Sequence, residues 1–528
     1  MQKSNSVFSK ACCEISQNLL DVPAPNKKNV KAEIKKICLK YSLERIPRNS
    51  EILSMLNGSE YTKLQKVLIR KPVKTASGVA VVALMPKPYA CPHGRCTYCP
   101  GGVEFNTPNS YTGQEPSTIN AIENEYDPKK QIITKLEKLK AYGHDLSKLE
   151  LVIVGGTFLF MPKDYQKNFI KLCYDALNGF DSVTLEDAKS NNEHSDIRSV
   201  GFTIETKPDY CKKEHVDSML QYGITRVEIG VQCLREEVYR IVNRGHNFND
   251  VVESFQIAKD AGYKIVAHMM PGLPTMNPQK DIEDFKQLFS DQRFKPDMLK
   301  IYPSLVLENT PLYNDFMKGK YSSYSDNDMM KVLTEIKKII PRWVRIMRIQ
   351  REISSNEIVS GPKFGNLRQL VLKNLKKQGM SCKCIRCREA GLSKKNVNSA
   401  ELKLNREDYL SSDGKEVFLS FDDSNDSVYG FLRMRHPSNK AHREEISQNS
   451  CIVRELHVYG KSLKIGERNK DGIQHMGLGK SLMGRAEKIA KEEFDSKKLL
   501  VISAVGTREY YQKLGYSLCG PYMAKELA

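Results

Sequence analysis

Cys91-Pro92-His93-Gly94-Arg95-Cys96-Thr97-Tyr98-Cys99, followed downstream by Leu151-Val152-Ile153-Val154-Gly155-Gly156-Thr157, carries the reading of this chain. The first stretch follows the apolar run Val79–Met85, a candidate strand, and puts three thiols on one loop. Three thiolates so spaced can hold three irons of a 4Fe–4S cluster and leave the fourth open. Zinc is the alternative: a structural zinc takes four protein ligands, His93 would supply the fourth, and spacing alone leaves both open. The second stretch decides between them. A hydrophobic strand ending in two glycines lets backbone approach a ligand closely, and this one comes one strand after C-x4-C-x2-C. The pair points to a cluster whose open iron chelates the amino and carboxylate groups of S-adenosylmethionine (SAM).

Working outward, residues 76–350 alternate short apolar runs with amphipathic stretches. Further candidate strands are Val200–Ile204, Arg226–Ile229, Lys264–His268 and Met298–Tyr302. Candidate helices include Gln131–Leu139, Tyr165–Leu177, Lys213–Gln221, Asp250–Ala261 and Asp281–Phe289. Such alternation predicts a parallel sheet, doubly wound or closed into a partial barrel, with chemistry at the carboxyl ends of its strands. The polar stretch Leu185–Ser195 reads as a surface insertion.

The flanks differ in composition. Formal net charge is +19, and residues 1–74 hold fifteen Lys and Arg against six Asp and Glu. Such an excess attracts a polyanion by counterion release; a solubilising tail is the alternative. Within it Lys27–Lys40 carries Val30, Ile34 and Ile37 at helical spacing. Residues 351–398 form a Gly- and Lys-rich connector with a second cluster, Cys382, Cys384 and Cys387. Thiols of a reducing compartment, flanked by Lys383, Arg386 and Arg388, fit a structural zinc clip between domains, or three reduced cysteines without metal. Residues 399–528 are strand-rich: Val417–Phe421, Val428–Arg433, Ile452–Val458, a long helix from Leu478, and a last strand Leu499–Val505. Asp422–Asp426 reads as a hairpin loop. Gln474-His475-Met476-Gly477-Leu478-Gly479-Lys480 opens the long helix, where free N–H groups and the helix dipole suit a pyrophosphate. Apolar runs fall well short of the ~20 residues that span a bilayer, and the N-terminus has no cleavable hydrophobic core, so the chain reads as cytoplasmic, without a membrane partner.

These phrases stand in an order that resembles the Elongator protein 3 family, in its archaeal and bacterial type. The resemblance runs through CPHGRCTYCPGG from Cys91, GHDLSKLELVIVGGTF from Gly143, GFTIETKPDYC from Gly201, RVEIGVQ from Arg226, HMMPGLP from His268, CKCIRCRE from Cys382, RELHVYG from Arg454 and REYYQKLGY from Arg508. It implies an α/β multidomain chain: a basic helical tRNA-binding segment (1–75), a partial (β/α) barrel radical SAM domain (76–350), the zinc-bearing connector (351–398), and an α+β GNAT acetyltransferase-like domain (399–528). It also implies a reaction, carboxymethylation of tRNA wobble uridine at C5. A 5′-deoxyadenosyl radical removes hydrogen from the acetyl group of acetyl-CoA, the carbon radical adds to the base, and the thioester is hydrolysed.

By the same resemblance, Cys91, Cys96 and Cys99 hold the 4Fe–4S cluster, and Gly155, Gly156, Thr157, Glu205, Lys207 and Gln232 face SAM. Lys148, Glu455, Leu456, His457, Val458, Gly477, Leu478, Gly479 and Tyr510 bind acetyl-CoA, the strand residues by backbone hydrogen bonds to the pantetheine arm. A hydroxyl of Tyr510 or Tyr511 could protonate a departing thiolate, while core packing is the alternative for at least one of them. Implied partners are the tRNA anticodon stem-loop and an electron donor, with a homodimer left open and other Elongator subunits not required. Two rivals remain: a protein lysine acetyltransferase, which leaves the first cysteine loop idle, and a non-catalytic tRNA-binding scaffold. Asn120, Glu123, Glu125 and Thr275 depart from the family pattern, and Lys207 stands where an arginine is usual, keeping charge but not bidentate geometry.

Overall fold

The computed structural model describes residues 2–69, 78–390, 401–459 and 477–527. The first sheet is built from β1 (Ala80–Leu84), β2 (Lys148–Ile153), β3 (Arg198–Thr206), β4 (Arg226–Gln232), β5 (Lys264–Met269) and β6 (Met298–Ile301). The short strand β7 (Val306–Leu307) precedes β8 (Arg345–Ile349), and β9 (Ile358–Ser360) pairs antiparallel with β7. The sheet order is β1-β2-β3-β4-β5-β6-β8, and every neighbour pair is parallel. Order follows sequence with no reversal, so the sheet has no doubly-wound switch point. It is a partial barrel, with helices such as Lys163–Asn178, Lys213–Gln221 and Pro278–Ser290 between strands.

Alternation along the strands separates two environments, because successive side chains point to opposite faces. On β4, Val227, Ile229 and Val231 enter the apolar layer shared with the helices. Arg226, Glu228, Gly230 and Gln232 face the lumen instead. The polar lumen has to be matched charge for charge, since an unpaired buried ion costs several kcal/mol.

The second sheet runs β10 (Lys403–Ser411), β11 (Gly414–Asp422), β12 (Val428–His436), β13 (Ser450–Val458), β14 (Lys498–Val501), β15 (Ser517–Cys519) and β16 (Tyr522–Glu526), in the order β10-β11-β12-β13-β14-β16-β15. The helix Leu478–Phe494 buries Leu482, Met483, Ala486 and Ile489 against Val417, Leu432 and Val453. β13 and β14 pair in parallel from Ser450↔Lys498 to Val453↔Val501. Beyond that point β14 ends, while β13 continues to Val458 with β12 as its strand partner. The sheet therefore splays open at Arg454.

The two sheets are joined by a fully buried ionic network. Arg454 grips Asp297 with bonds of 2.6 and 2.7 Å and reaches Glu416 at 2.8 Å. Arg435 binds Glu416 at 2.9 Å and Asp260 at 2.7 Å, and the Lys259 ammonium lies 3.6 Å from Glu416. Asp260 and Asp297 lie just ahead of β5 and β6, so the second sheet covers the amino end of the barrel. Ile452, Ile502, Val505 and Tyr522 meanwhile enter the barrel's own apolar core.

The N-terminal helices α1 (Gln2–Leu20), α2 (Lys27–Lys40), α3 (Asn49–Leu53) and α4 (Gly58–Leu68) pack Ala11, Ile15, Val30, Ile37, Ile52 and Leu64 into a separate core. They touch the barrel where Gln65 donates to the Gly143 carbonyl at 2.7 Å.

Three readings of the sequence change. Leu185–Ser195 is not a surface insertion: it holds the helix Leu185–Asn192, capped by Thr184, with Leu185, Ala188 and Asn192 buried. Just past this helix, Glu193 binds Arg508 of the second sheet's unit at 2.7 Å. The Asp422–Asp426 hairpin is more than a turn, because Asp422 is buried and accepts from Arg342, Arg388 and Asn405. Leu499–Val505 is not the last strand, since β15 and β16 follow it. Within the connector, the helix Leu367–Lys377 buries Leu367, Val371 and Leu375 in the barrel core.

Candidate active site

The cysteine loop follows β1 at the carboxyl end of the barrel, and each thiol receives a donor. The Asn109 amide donates to Cys91 Sγ at 3.3 Å, the Ser110 backbone N–H to Cys99 Sγ at 3.1 Å, and Arg244 lies 3.7 Å from Cys96 Sγ. Donors converging on sulfur are suited to thiolates. Among the described residues, the sets of three metal-ligating groups lying within 4.8 Å of one another are Cys382–Cys384–Cys387 and Glu205–Glu228–His268. Cys91, Cys96 and Cys99 are wider apart than that as a set. One zinc with Zn–S bonds of about 2.3 Å holds its sulfurs closer together than this, whereas a four-iron cube spreads its thiolates. The wider spacing suits a 4Fe–4S cluster, as the three thiols on one loop do. His93 points at Cys96 from 3.2 Å, and burial, then Lys207 and Arg244, push its imidazole down to about 3.

Beside the loop, Gly155 and Gly156 adopt φ of +104° and +87°. A Cβ on Gly155 would lie 2.8 Å from Pro108, so only glycine fits. Gly156, Thr157, Glu205, Lys207 and Gln232 line the same cavity as the thiols. Gln232 sits at φ +74°, which is uncommon for a side chain of its size, and its buried Oε1 has no partner in the structure. Strain and unmet polarity of this kind gather at ligand sites.

The cavity, about 900 Å³, runs down the lumen to the second sheet. Midway, Glu228 accepts from His268 at 2.8 Å and from Lys300, whose ammonium also lies 3.3 Å from Glu205. Burial would raise the Glu228 carboxyl, but Lys300, His268 and Arg226 hold it well below the carboxylate range. Lys300 already supplies the cation that the Glu205–Glu228–His268 group could otherwise bind. At the far end the wall is Glu455, Leu456 and His457 of β13 with Ser503, at the splay. Burial pushes His457 down to about 4 and Lys264 down to about 8. Lys148 heads β2 at this same end of the barrel, and burial lowers its ammonium.

Gly477 has φ +72° and precedes the helix Leu478–Phe494; Gln474–Met476 lie outside the described residues. A Cβ on Gly479 would stand 2.7 Å from the Tyr510 hydroxyl and 3.8 Å from Val458. Tyr510 thus shelters the helix start. Tyr511 is buried with Tyr516 and Met523, bordering the cavity.

Cys382, Cys384 and Cys387 lie between the sheets, with Ile385 packed on Phe418 and Tyr459. Two of the flanking cations are engaged elsewhere, Arg386 with Glu389 and Arg388 with Asp422. The fully buried Lys337 lies 3.5 Å from Cys387 Sγ.

Residues 85–289 match the Radical SAM superfamily, residues 296–377 the Radical_SAM C-terminal domain, and residues 8–76 the ELP3 N-terminal domain. Elongator complex protein 3 of Schizosaccharomyces pombe is 44% identical, with all of both chains aligned. The chain belongs to the Elongator complex protein 3 family. Among its other members, the tRNA uridine(34) acetyltransferase of Methanocaldococcus jannaschii is 45% identical over 94% of this chain and 93% of that one. The solved structure of Methanocaldococcus infernus Elp3 with an N-terminal deletion (1–46) matches with a TM-score of 0.75 at 42% identity, covering 85% of this chain and 100% of that one. At 44% and 45%, identity does not separate eukaryotic from archaeal members of the Elongator complex protein 3 family. No helix among the described residues is long and apolar enough to cross a membrane.

The lumen residues Glu228, His268, Lys300 and Tyr302 were not singled out from the sequence, nor were Asn109 and Arg244. The alternation Arg226, Glu228, Gly230, Gln232 was the available signal, since polar groups at period two mark one face of a strand.

Proposed function

We propose that the protein carboxymethylates C5 of the wobble uridine of tRNA, with acetyl-CoA as the source of the two carbons. One observation carries this reading: a single cavity has the thiols of Cys91, Cys96 and Cys99 at one end and the splayed strand Glu455–His457 at the other. Held by Cys91, Cys96 and Cys99, a 4Fe–4S cluster with SAM would supply radical chemistry able to take hydrogen from an acetyl methyl group.

The chain's own residues do the rest. Gly155 and Gly156 let backbone approach SAM, and Glu205 and Gln232 offer polar atoms at its rim. The open edge of β13 past Val453 holds the pantetheine arm by backbone hydrogen bonds. Gly477 and Gly479, at the helix start beneath Tyr510, receive the pyrophosphate. A hydroxyl of Tyr510 or Tyr511 gives its proton to the departing thiolate. The buried network at Arg454 fixes the distance between the two ends. Cys382, Cys384 and Cys387, within 4.8 Å of one another, suit one zinc ion that staples the connector to the second sheet. The basic N-terminal helices face tRNA phosphates, and the protein works in the cytoplasm with a one-electron donor.

A lysine acetyltransferase would present its thioester to a protein surface, whereas this splay opens into the barrel. The test is reaction of the reduced protein with SAM, tRNA and acetyl-CoA carrying carbon-13 in the acetyl group, read by mass spectrometry of nucleosides. Labelled carboxymethyluridine, lost in Cys96→Ser, is expected. SAM cleavage without any labelled uridine would overturn the assignment.

A further inference from the structure

We propose that Lys207 and His93 form a hydrogen-bond relay that sets the reduction potential of the cluster through Cys96. The proposal rests on reading Cys91, Cys96 and Cys99 as cluster ligands. It gives Lys207 a different task from contact with SAM.

Lys207 Nζ lies 2.9 Å from His93 Nδ1 and 3.0 Å from Asp209 Oδ2, with its side chain only 4% exposed. An ammonium has donors and no acceptor. Nδ1 must therefore be the accepting nitrogen, and the ring proton sits on Nε2. That nitrogen is 3.2 Å from Cys96 Sγ, so the imidazole donates to the sulfur. The order is fixed from end to end: Asp209 anchors the ammonium, the ammonium sets the tautomer, and the tautomer aims one N–H at one thiolate. The loop is pinned as well, since the Asn243 amide donates to the carbonyls of His93 and Arg95 at 3.3 and 3.0 Å.

The three sulfurs are treated unequally. Cys91 and Cys99 receive neutral donors, the Asn109 amide and the Ser110 N–H. Cys96 receives an imidazole polarised by a buried ammonium, with the Arg244 guanidinium 3.7 Å away. All three sulfurs accept as thiolates, but only the donor set at Cys96 brings two buried cations to bear, Lys207 through His93 and Arg244 directly. Hydrogen bonds at the sulfurs, net charge and burial are the levers that set such a cluster's potential. Reduction adds one negative charge, so positive charge focused on Cys96 favours the reduced form that must hand an electron onward. Lys207 is a positioning residue here, acting through His93.

The test uses the full chain, reconstituted anaerobically, with iron and sulfide assayed before a redox titration followed by electron paramagnetic resonance. Lys207→Met and His93→Phe should each shift the midpoint to more negative potential by at least a tenfold change in the reduction equilibrium, 59 mV for one electron. The double variant should go no further than His93→Phe alone. Lys207→Arg, which keeps the cation, and His93→Gln, which keeps an acceptor and a donor, should return most of the shift. An iron-replete Lys207→Met protein with the unaltered midpoint would overturn the relay, as would additive shifts in the double variant. A parent protein that holds zinc or no iron fails at the metal assay instead, which sinks the cluster reading itself and with it the relay.

Discussion

Gly155 combines a left-handed backbone with a Pro108 side chain 2.8 Å from where a Cβ would stand. Gly155→Ala therefore meets strain of about 1–3 kcal/mol, and the loop beside the thiols must shift. SAM affinity, measured by equilibrium binding to the reconstituted protein, should fall at least tenfold while the iron content holds. Asp281 makes a different kind of prediction. Burial pushes its carboxyl up to about 7, although Tyr324 and the Gly272 N–H both donate to it. The folded protein thus keeps a proton that the unfolded chain releases near pH 3.9. Its contribution to stability is complete below that value and declines as pH rises toward 7, by at most about 1.4 kcal/mol per unit. In Asp281→Asn the amide oxygen still accepts both bonds. Urea unfolding at pH 5 and pH 8 should show that this variant loses less stability between the two than the parent does.

Strand β4 carries the argument at the next level. Its outward face is apolar, while inward it presents Arg226, Glu228 and Gln232, balanced by Glu150, Lys300 and His268. Lys300→Met leaves Glu228 buried beside a weaker complement of charge, a loss of about 3–5 kcal/mol by denaturant unfolding. Glu228→Leu together with Lys300→Met should recover part of it, because the fully buried carboxylate leaves with its cation and the part-exposed Glu205 is the carboxylate that loses a partner. The same two-faced design decides what the sequence disclosed. The first six barrel strands could be read from their apolar runs. Strand β8, Arg345-Ile346-Met347-Arg348-Ile349, could not, because its arginines serve the lumen and Glu389. The exposed edge strand β10 and the helix Leu185–Asn192, with only Leu185 and Ala188 to mark a buried side, were equally silent. Of the site, the thiol loop and Gly155-Gly156 could be read because their chemistry is local in sequence. The lumen charges could not, since nothing in a lone Glu or Lys says which face of a strand it occupies.

For the chain as a whole, Asp260, Asp297 and Glu416 with Arg435, Arg454 and Lys259 lock the two sheets together without solvent. A continuous apolar core crosses the same join, so the two sheets should melt in one calorimetric transition. Asp297→Asn, which leaves Arg454 half-compensated, should cost about 3–5 kcal/mol and split that transition. The N-terminal helices answer to salt instead. Lys27, Lys28, Lys31 and Lys35 are exposed on α2. Replacing all four by alanine should flatten the salt dependence of tRNA affinity, by about 0.7–0.9 in log–log slope for each phosphate that is no longer neutralised.

Because the second sheet floors the barrel at its amino end, the two proposed co-substrates would reach the cavity by different routes. In the proposed reaction the bulky nucleotide of coenzyme A would stay outside near Gly479, while the target base would enter at the carboxyl end, over Cys91. On that reading neither would block the other's way in. Desulfo-coenzyme A, a dead-end analogue, should therefore inhibit competitively against acetyl-CoA and noncompetitively against tRNA.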